Sequence, residues 1–209
     1  MPFDKDNRLF MVGFLVIASL VVTAALSALY AVTEPIIEQQ KARLFQVRVL
    51  EACGLVDHGA EPDDGEIDRL YARIEEVPHD DGRTLYRAYS SERREELIAE
   101  ALEISGSGLW SEIRLLVALT PDGGSIHGLA VVEQGETPGL GGRITEPEFL
   151  EKFAGLELGA PPEYVGIVAY ETPDAPNEIN AISGATQTSK AVQVILNEGL
   201  ATFPTTAQE

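Results

Sequence analysis

From Leu9 to Thr33 the chain carries no charged side chain, in a run that begins Leu-Phe-Met-Val-Gly-Phe-Leu-Val-Ile-Ala. That exceeds the roughly 20 apolar residues a helix needs to cross a bilayer. In hydrocarbon, only a helix satisfies every N–H and C=O within one segment, so the run reads as a single transmembrane helix. Lys5 and Arg8 would also suit the basic flank of a cleaved signal peptide. The apolar core of such a peptide is usually about 7–15 residues, so a retained anchor is the favoured reading. Cys53 offers no lipid-attachment alternative, because it lies far beyond the run and Glu51 falls where the recognition box would have to be.

The anchor divides the chain into a short N-terminus (1–8), the transmembrane helix (9–33), a juxtamembrane stalk helix (34–55), a folded domain (56–203) and a tail (204–209). Thr33-Glu34-Pro35 resembles a helix start with proline in the first position. Ile36, Ile37, Gln40, Leu44, Val47 and Leu50 then give a stripe at helical spacing that stops at Cys53-Gly54-Leu55. A lone cysteine forms no internal disulfide, and Cys53 reads as a small buried hydrophobe.

Charge narrows the function. The net charge is −19, nearly all of it beyond the anchor, which argues against nucleic acid as a partner. Glu61-Pro62-Asp63-Asp64-Gly65-Glu66 lacks the ligand spacing of a calcium loop, and His58, His79 and His127 are scattered without metal spacing. No Gly-x-Ser-x-Gly elbow, dinucleotide fingerprint or phosphate-binding P-loop is present. The sequence therefore predicts no catalytic residue and no metal ligand of its own.

Within the domain, residues 56–82 are polar and turn-rich, with a short strand or helix expected around Ile67–Glu76. Thr84–Tyr89 alternates as a strand should, whereas Glu92–Ala101 holds helix formers that could equally be a long loop. Ile113–Leu119 and Ile126–Val132 flank Thr120-Pro121-Asp122-Gly123-Gly124, a hairpin signature. Thr145 and Glu148 have capping-box spacing before a short helix carrying Phe149, Leu150 and Phe153 inward, and Tyr164–Tyr170 reads as a further strand. The fold class is α+β, an antiparallel sheet with short helices.

Two stretches are candidates for ligand contact. In Asn180–Ser189, Ser183, Gly184, Ala185, Thr186 and Thr188 precede an apolar-periodic segment with Ala191, Val192, Ile195 and Leu196. Thr188 or Ser189 is the expected cap of that helix and Gly199 its stop. A helix N-terminus with glycine beside it suits an anion such as phosphate. The second stretch, Glu133–Arg143, has glycines around Pro138 that let backbone N–H groups approach a planar ligand.

Ser183-Gly184-Ala185-Thr186 with Gln187-Thr188-Ser189 resembles the flavinylation motif of the FMN-binding domains of membrane redox complexes. Glu136-Thr137-Pro138-Gly139-Leu140-Gly141 resembles the second hallmark of that family, and Gly108-Leu109-Trp110-Ser111 resembles the segment preceding the hairpin in its quinone-reductase branch. Where the family motif usually has an acidic residue, this chain has Asn180. The resemblance implies covalent FMN on Thr186, installed by a separate flavin transferase using FAD and magnesium. It also implies that Glu136, Thr137, Gly139 and Leu140 border the flavin, with Trp110 in reach. It further implies a domain on the periplasmic side of an inner membrane, working with other membrane subunits. The implied parent is a Na+-translocating NADH:quinone oxidoreductase, or alternatively an Rnf-type ferredoxin:NAD oxidoreductase. A flavin-free membrane-anchored scaffold is the alternative of another class.

Overall fold

The computed structural model describes residues 8–79 and 82–204. The basic flank at Lys5, most of the expected 1–8 segment and most of the 204–209 tail lie outside the described residues. The chain divides into two units, Met1–Leu44 and Phe45–Glu209.

Helix α1 runs from Arg8 to Ala52 with Pro35 inside it, so the expected boundary between anchor and stalk is absent. Proline withdraws one N–H and crowds the preceding turn. Nucleating a second helix costs more than carrying an existing one past a single missing bond, and the residues on both sides favour helix. The first unit is apolar on every side, with Phe14, Leu20 and Val32 each more than 60% exposed. A helix apolar all round and exposed along its length suits lipid rather than water. The stripe expected from Ile36 onward is exposed at Ile36, Ile37 and Leu44 and becomes buried only at its end, at Leu50.

In the second unit, α2 (Asp64–Tyr71) is capped by the Asp63 carboxylate, which accepts from the Glu66 N–H at 2.8 Å. Five antiparallel strands follow in chain order: β1 (Ile74–Pro78), β2 (Thr84–Tyr89), β3 (Leu97–Ser107), β4 (Glu112–Leu119) and β5 (Ile126–Glu133). The ambiguous Glu92–Ala101 stretch runs into the central strand. Its helix formers are overridden because Leu102 pairs with Leu85 on one side and Val117 on the other. Glu100, buried there, is answered across the strand pair by Arg87 Nε at 2.8 Å.

Alternation gives the sheet two covered faces. On one, Leu102, Ile104, Ile113, Leu115 and Val117 pack into a core with Phe149, Phe153, Ile195 and Leu196. On the other, Ala88, Ala99, Ala101, Leu116, Ala118 and Ala130 lie with Val49, Leu50, Ala52 and Cys53 from the end of α1. The approach there is close: a Cβ on Gly128 would overlap the Ala52 carbonyl.

After β5 come a 3-10 turn (Gly141–Thr145) and α3 (Pro147–Leu150). Thr145 does not cap that helix; its hydroxyl donates back to the Gly142 carbonyl at 3.0 Å, and Glu146 precedes the helix without a side-chain cap. Pro147, already set for helix at the first position, places the start one residue later than the capping-box reading required. The strand expected at Tyr164–Tyr170 shortens to β6 (Gly166–Val168), which pairs with β7 (Glu178–Asn180) in parallel. The main sheet is antiparallel as expected, and this small pair is the exception.

Candidate functional site

The final helix, α4 (Thr186–Leu200), begins two residues before the earliest expected cap, with Ala185 in the cap position and no side-chain acceptor. Thr188 and Ser189 are buried inside the first turns, where their hydroxyls are committed elsewhere. Ser189 Oγ donates to the Ala185 carbonyl at 3.0 Å and accepts from the Ile182 N–H at 3.1 Å, tying the loop to the helix it enters. Gly199 is not the stop either. It lies within α4, where a Cβ would come 2.6 Å from Ile104 Cγ2, so its role is close packing on β3.

The N-terminus of α4 opens on a cleft of about 560 Å³. Trp110, Glu136, Thr137, Leu140, Ser183, Gly184, Ala185, Thr186 and Thr188 all line it, so the two motif stretches and the Gly-Leu-Trp-Ser segment converge. Gly139 is not in the wall; with φ +73°, it turns the loop that carries Thr137 and Leu140. Sequence reasoning missed Leu109, Gly141, Ala169 and Tyr170 as lining residues. Tyr170 is 93% exposed, and its aromatic ring just beyond β6 was the one available signal. Trp110 is 75% exposed, so it is a rim residue, contrary to the usual place of a lone Trp in a core.

Glu136 joins the parts. Its side chain is only 4% exposed, and it accepts from the Trp110 N–H at 2.9 Å and, more weakly, from the Ser111 N–H at 3.3 Å. Its other oxygen accepts from Thr188 Oγ1 at 2.9 Å. Burial alone would raise its pKa, but the N–H groups of Trp110, Ser111 and Leu109 and the Thr188 hydroxyl outweigh that and hold the carboxyl below its usual range. The glycines around it leave room for nothing larger. A Cβ on Gly108 would lie 2.6 Å from Glu136 Oε1, and one on Gly141 would lie 2.8 Å from Oε2.

The opposite edge of the seat is held more loosely. Arg143 pairs with Glu146 at 3.1 Å and donates to the Ser183 carbonyl at 3.3 Å. Asn180 is exposed, with its amide donating to the Glu171 carbonyl at 3.2 Å.

These residues fit a flavin phosphate. Gly184 sits at φ +82° with its Cβ direction open except for Leu140 Cδ2 at 3.8 Å, so the backbone turns without a side chain obstructing the cleft. With no side-chain acceptor at Ala185, the first-turn N–H groups are left for an anion. Thr186 is half-buried in the cleft wall, where an ester to its hydroxyl would lie in reach of those donors. The exposed apolar rim of Leu109, Trp110 and Leu140 suits the face of a planar ring.

Comparison with known proteins points the same way. Residues 108–201 match the model of the FMN-binding domain family. The chain is similar to the Na(+)-translocating NADH-quinone reductase subunit NqrC of Neisseria meningitidis serogroup A, at 29% identity over 91% of this chain and 89% of that protein. It is 45% identical to the protein of the same name from serogroup B of that species, over 44% of this chain but only 36% of that protein. In structure it is similar to NqrC of Shewanella oneidensis, with a TM-score of 0.60 and 22% identity over 78% of this chain and 93% of that one. The corresponding structure from Parabacteroides distasonis gives 0.63 at 21% identity, over 79% and 92%. Both solved structures share the α+β fold.

Proposed function

We propose that this chain, whose residues 108–201 match the FMN-binding domain family, is the membrane-anchored, flavin-carrying subunit of a Na+-translocating NADH:quinone reductase. The observation that carries the reading is the closure of two distant motifs on one cleft, with Glu136 bonded to Thr188 across 52 positions of sequence. FMN supplies the redox chemistry when bound, taking up and passing on electrons that no side chain of this polypeptide could store. Thr186 is the attachment point, through an ester between its hydroxyl and the flavin phosphate. A threonine hydroxyl is a weak nucleophile at neutral pH, which suits attachment by a separate flavin transferase. The first-turn N–H groups of α4 and its dipole stabilise the phosphate, by about 0.3–1 kcal/mol at an exposed site. Thr137, Leu140 and Trp110 border the ring, and Gly139 sets the loop that presents them.

The helix of the first unit is long and apolar enough to cross a membrane and anchors the subunit. The N-terminus is cytoplasmic, the domain periplasmic, and the partners are the other membrane subunits of the complex. One helix provides no ion path, so sodium transport is a property of the assembly.

The test is a denaturing gel viewed under ultraviolet light, with protein made in a host that has the transferase. The wild-type band should fluoresce, intact mass should show one riboflavin-phosphate adduct, and Thr186→Ala should be dark and unmodified. A dark, unmodified wild-type band overturns the reading in favour of a flavin-free scaffold. Protease added to intact spheroplasts should digest the domain, and its protection would reverse the assigned orientation.

A further inference from the structure

Glu136 lines the cleft, yet both of its oxygens are taken up by the protein: Oε1 by the Trp110 and Ser111 N–H groups, Oε2 by the Thr188 hydroxyl. A carboxylate so engaged is poorly placed to bind a ligand directly, and it carries a second property. Among the described residues, none of its hydrogen-bond partners is cationic, so its charge stands uncompensated in the cleft wall. The nearest basic group of the seat, Arg143, is committed to Glu146 and the Ser183 carbonyl. Gly108 and Gly141 close over the two oxygens so tightly that the side chain has one position available.

Resting on the flavin reading above, we propose that Glu136 is a positioning residue that clamps the Trp110 segment to the first turn of α4, and that its negative charge makes the flavin harder to reduce. The clamp follows from geometry. One end of the carboxylate holds the backbone of the ring-bordering segment, and the other holds a helix residue two positions after the phosphate-bearing Thr186. The electrostatic part follows from location. An electron added to a ring in this cleft meets a fixed anion in partly excluded solvent, where charge–charge interaction is stronger than in water. Removing that anion favours the reduced form.

Two variants separate the contributions, each in the full-length, flavinylated chain in detergent. Glu136→Gln keeps the shape and removes the charge; Thr188→Val keeps the charge and removes one arm of the clamp. The midpoint potential should move to more positive values in Glu136→Gln and stay near wild type in Thr188→Val. Flavin fluorescence anisotropy should decay faster in both, reporting a looser ring. A folded, flavinylated Glu136→Gln with wild-type potential overturns the proposal. Should circular dichroism show Glu136→Gln unfolded, Thr188→Val decides: faster anisotropy decay supports the clamp and a wild-type decay overturns it. A wild-type protein without flavin would instead defeat the reading of function on which this rests.

Discussion

The two faces of the sheet are built from different side chains, and the difference tracks what each must do. The face toward α4 is filled by Leu, Ile, Val and Phe, which hold the helix off the strands and leave room at one edge for the cleft. The opposite face is mostly alanine, with Gly128 where the backbone of the last α1 turn comes closest. Large residues on the first face set a separation, and small residues on the second allow contact. The lesson is that one strand, β4, serves both purposes by alternation, with Leu115 and Val117 toward the cleft side and Leu116 and Ala118 toward α1.

If that division is correct, damage to one face should be separable from damage to the other. The largest expected effect is all-or-none: Thr186→Ala should abolish the covalent flavin while leaving the thermal unfolding temperature of the flavin-free protein unchanged, because the side chain is half-buried and α4 uses no side-chain cap. Next, Phe153→Ala empties a fully buried position on the cleft side and should cost about 3–5 kcal/mol in denaturant unfolding. Gly128→Ala forces overlap on the other side and should cost about 1–3 kcal/mol, with flavin incorporation retained in the folded fraction. Loss of flavin from that variant would show that the two faces are not independent.

The smallest effects are in titration. Burial pushes the Cys53 thiol, on the α1 side, up to about 12 from an ordinary value of 9.0. The folded protein therefore keeps this proton while the unfolded chain loses it, so Cys53 lowers stability as pH rises from 9.0 toward about 12. Cys53→Ala should flatten that part of the stability curve, and the native thiol should resist alkylation at about pH 8. Glu136, on the cleft side, titrates in the opposite sense. Its depressed pKa contributes stability above the ordinary carboxylate range that is lost as pH falls, and Glu136→Gln should reduce the acid sensitivity of unfolding.

Much of this plan is legible in the residues themselves. The hairpin of β4 and β5 is visible because its runs are apolar and its turn is rich in Gly, Pro and Asp. The anchor is visible because no charge interrupts it. The central strand β3 is not, since Glu95, Glu96, Ala99 and Glu100 are helix formers locally, and only pairing with β2 and β4 decides for strand. Pro35 misleads for the related reason that a local breaker signal yields to the helix already running through it. The motifs of the site can be read as separate stretches, and their expected residues converge on one cleft. What no local pattern shows is the Glu136–Thr188 bond that joins them, or that Thr188 and Ser189 are buried rather than capping.

Strand order has a bearing on when the flavin can be attached. The strands from β1 to β5 neighbour one another in the order in which they are synthesised, so each can add to the last as the chain emerges. The acceptor threonine comes near the very end, on the helix that closes over a sheet already laid down. Maturation is thereby placed after folding, and the enzyme that modifies Thr186 meets a finished surface rather than a nascent thread.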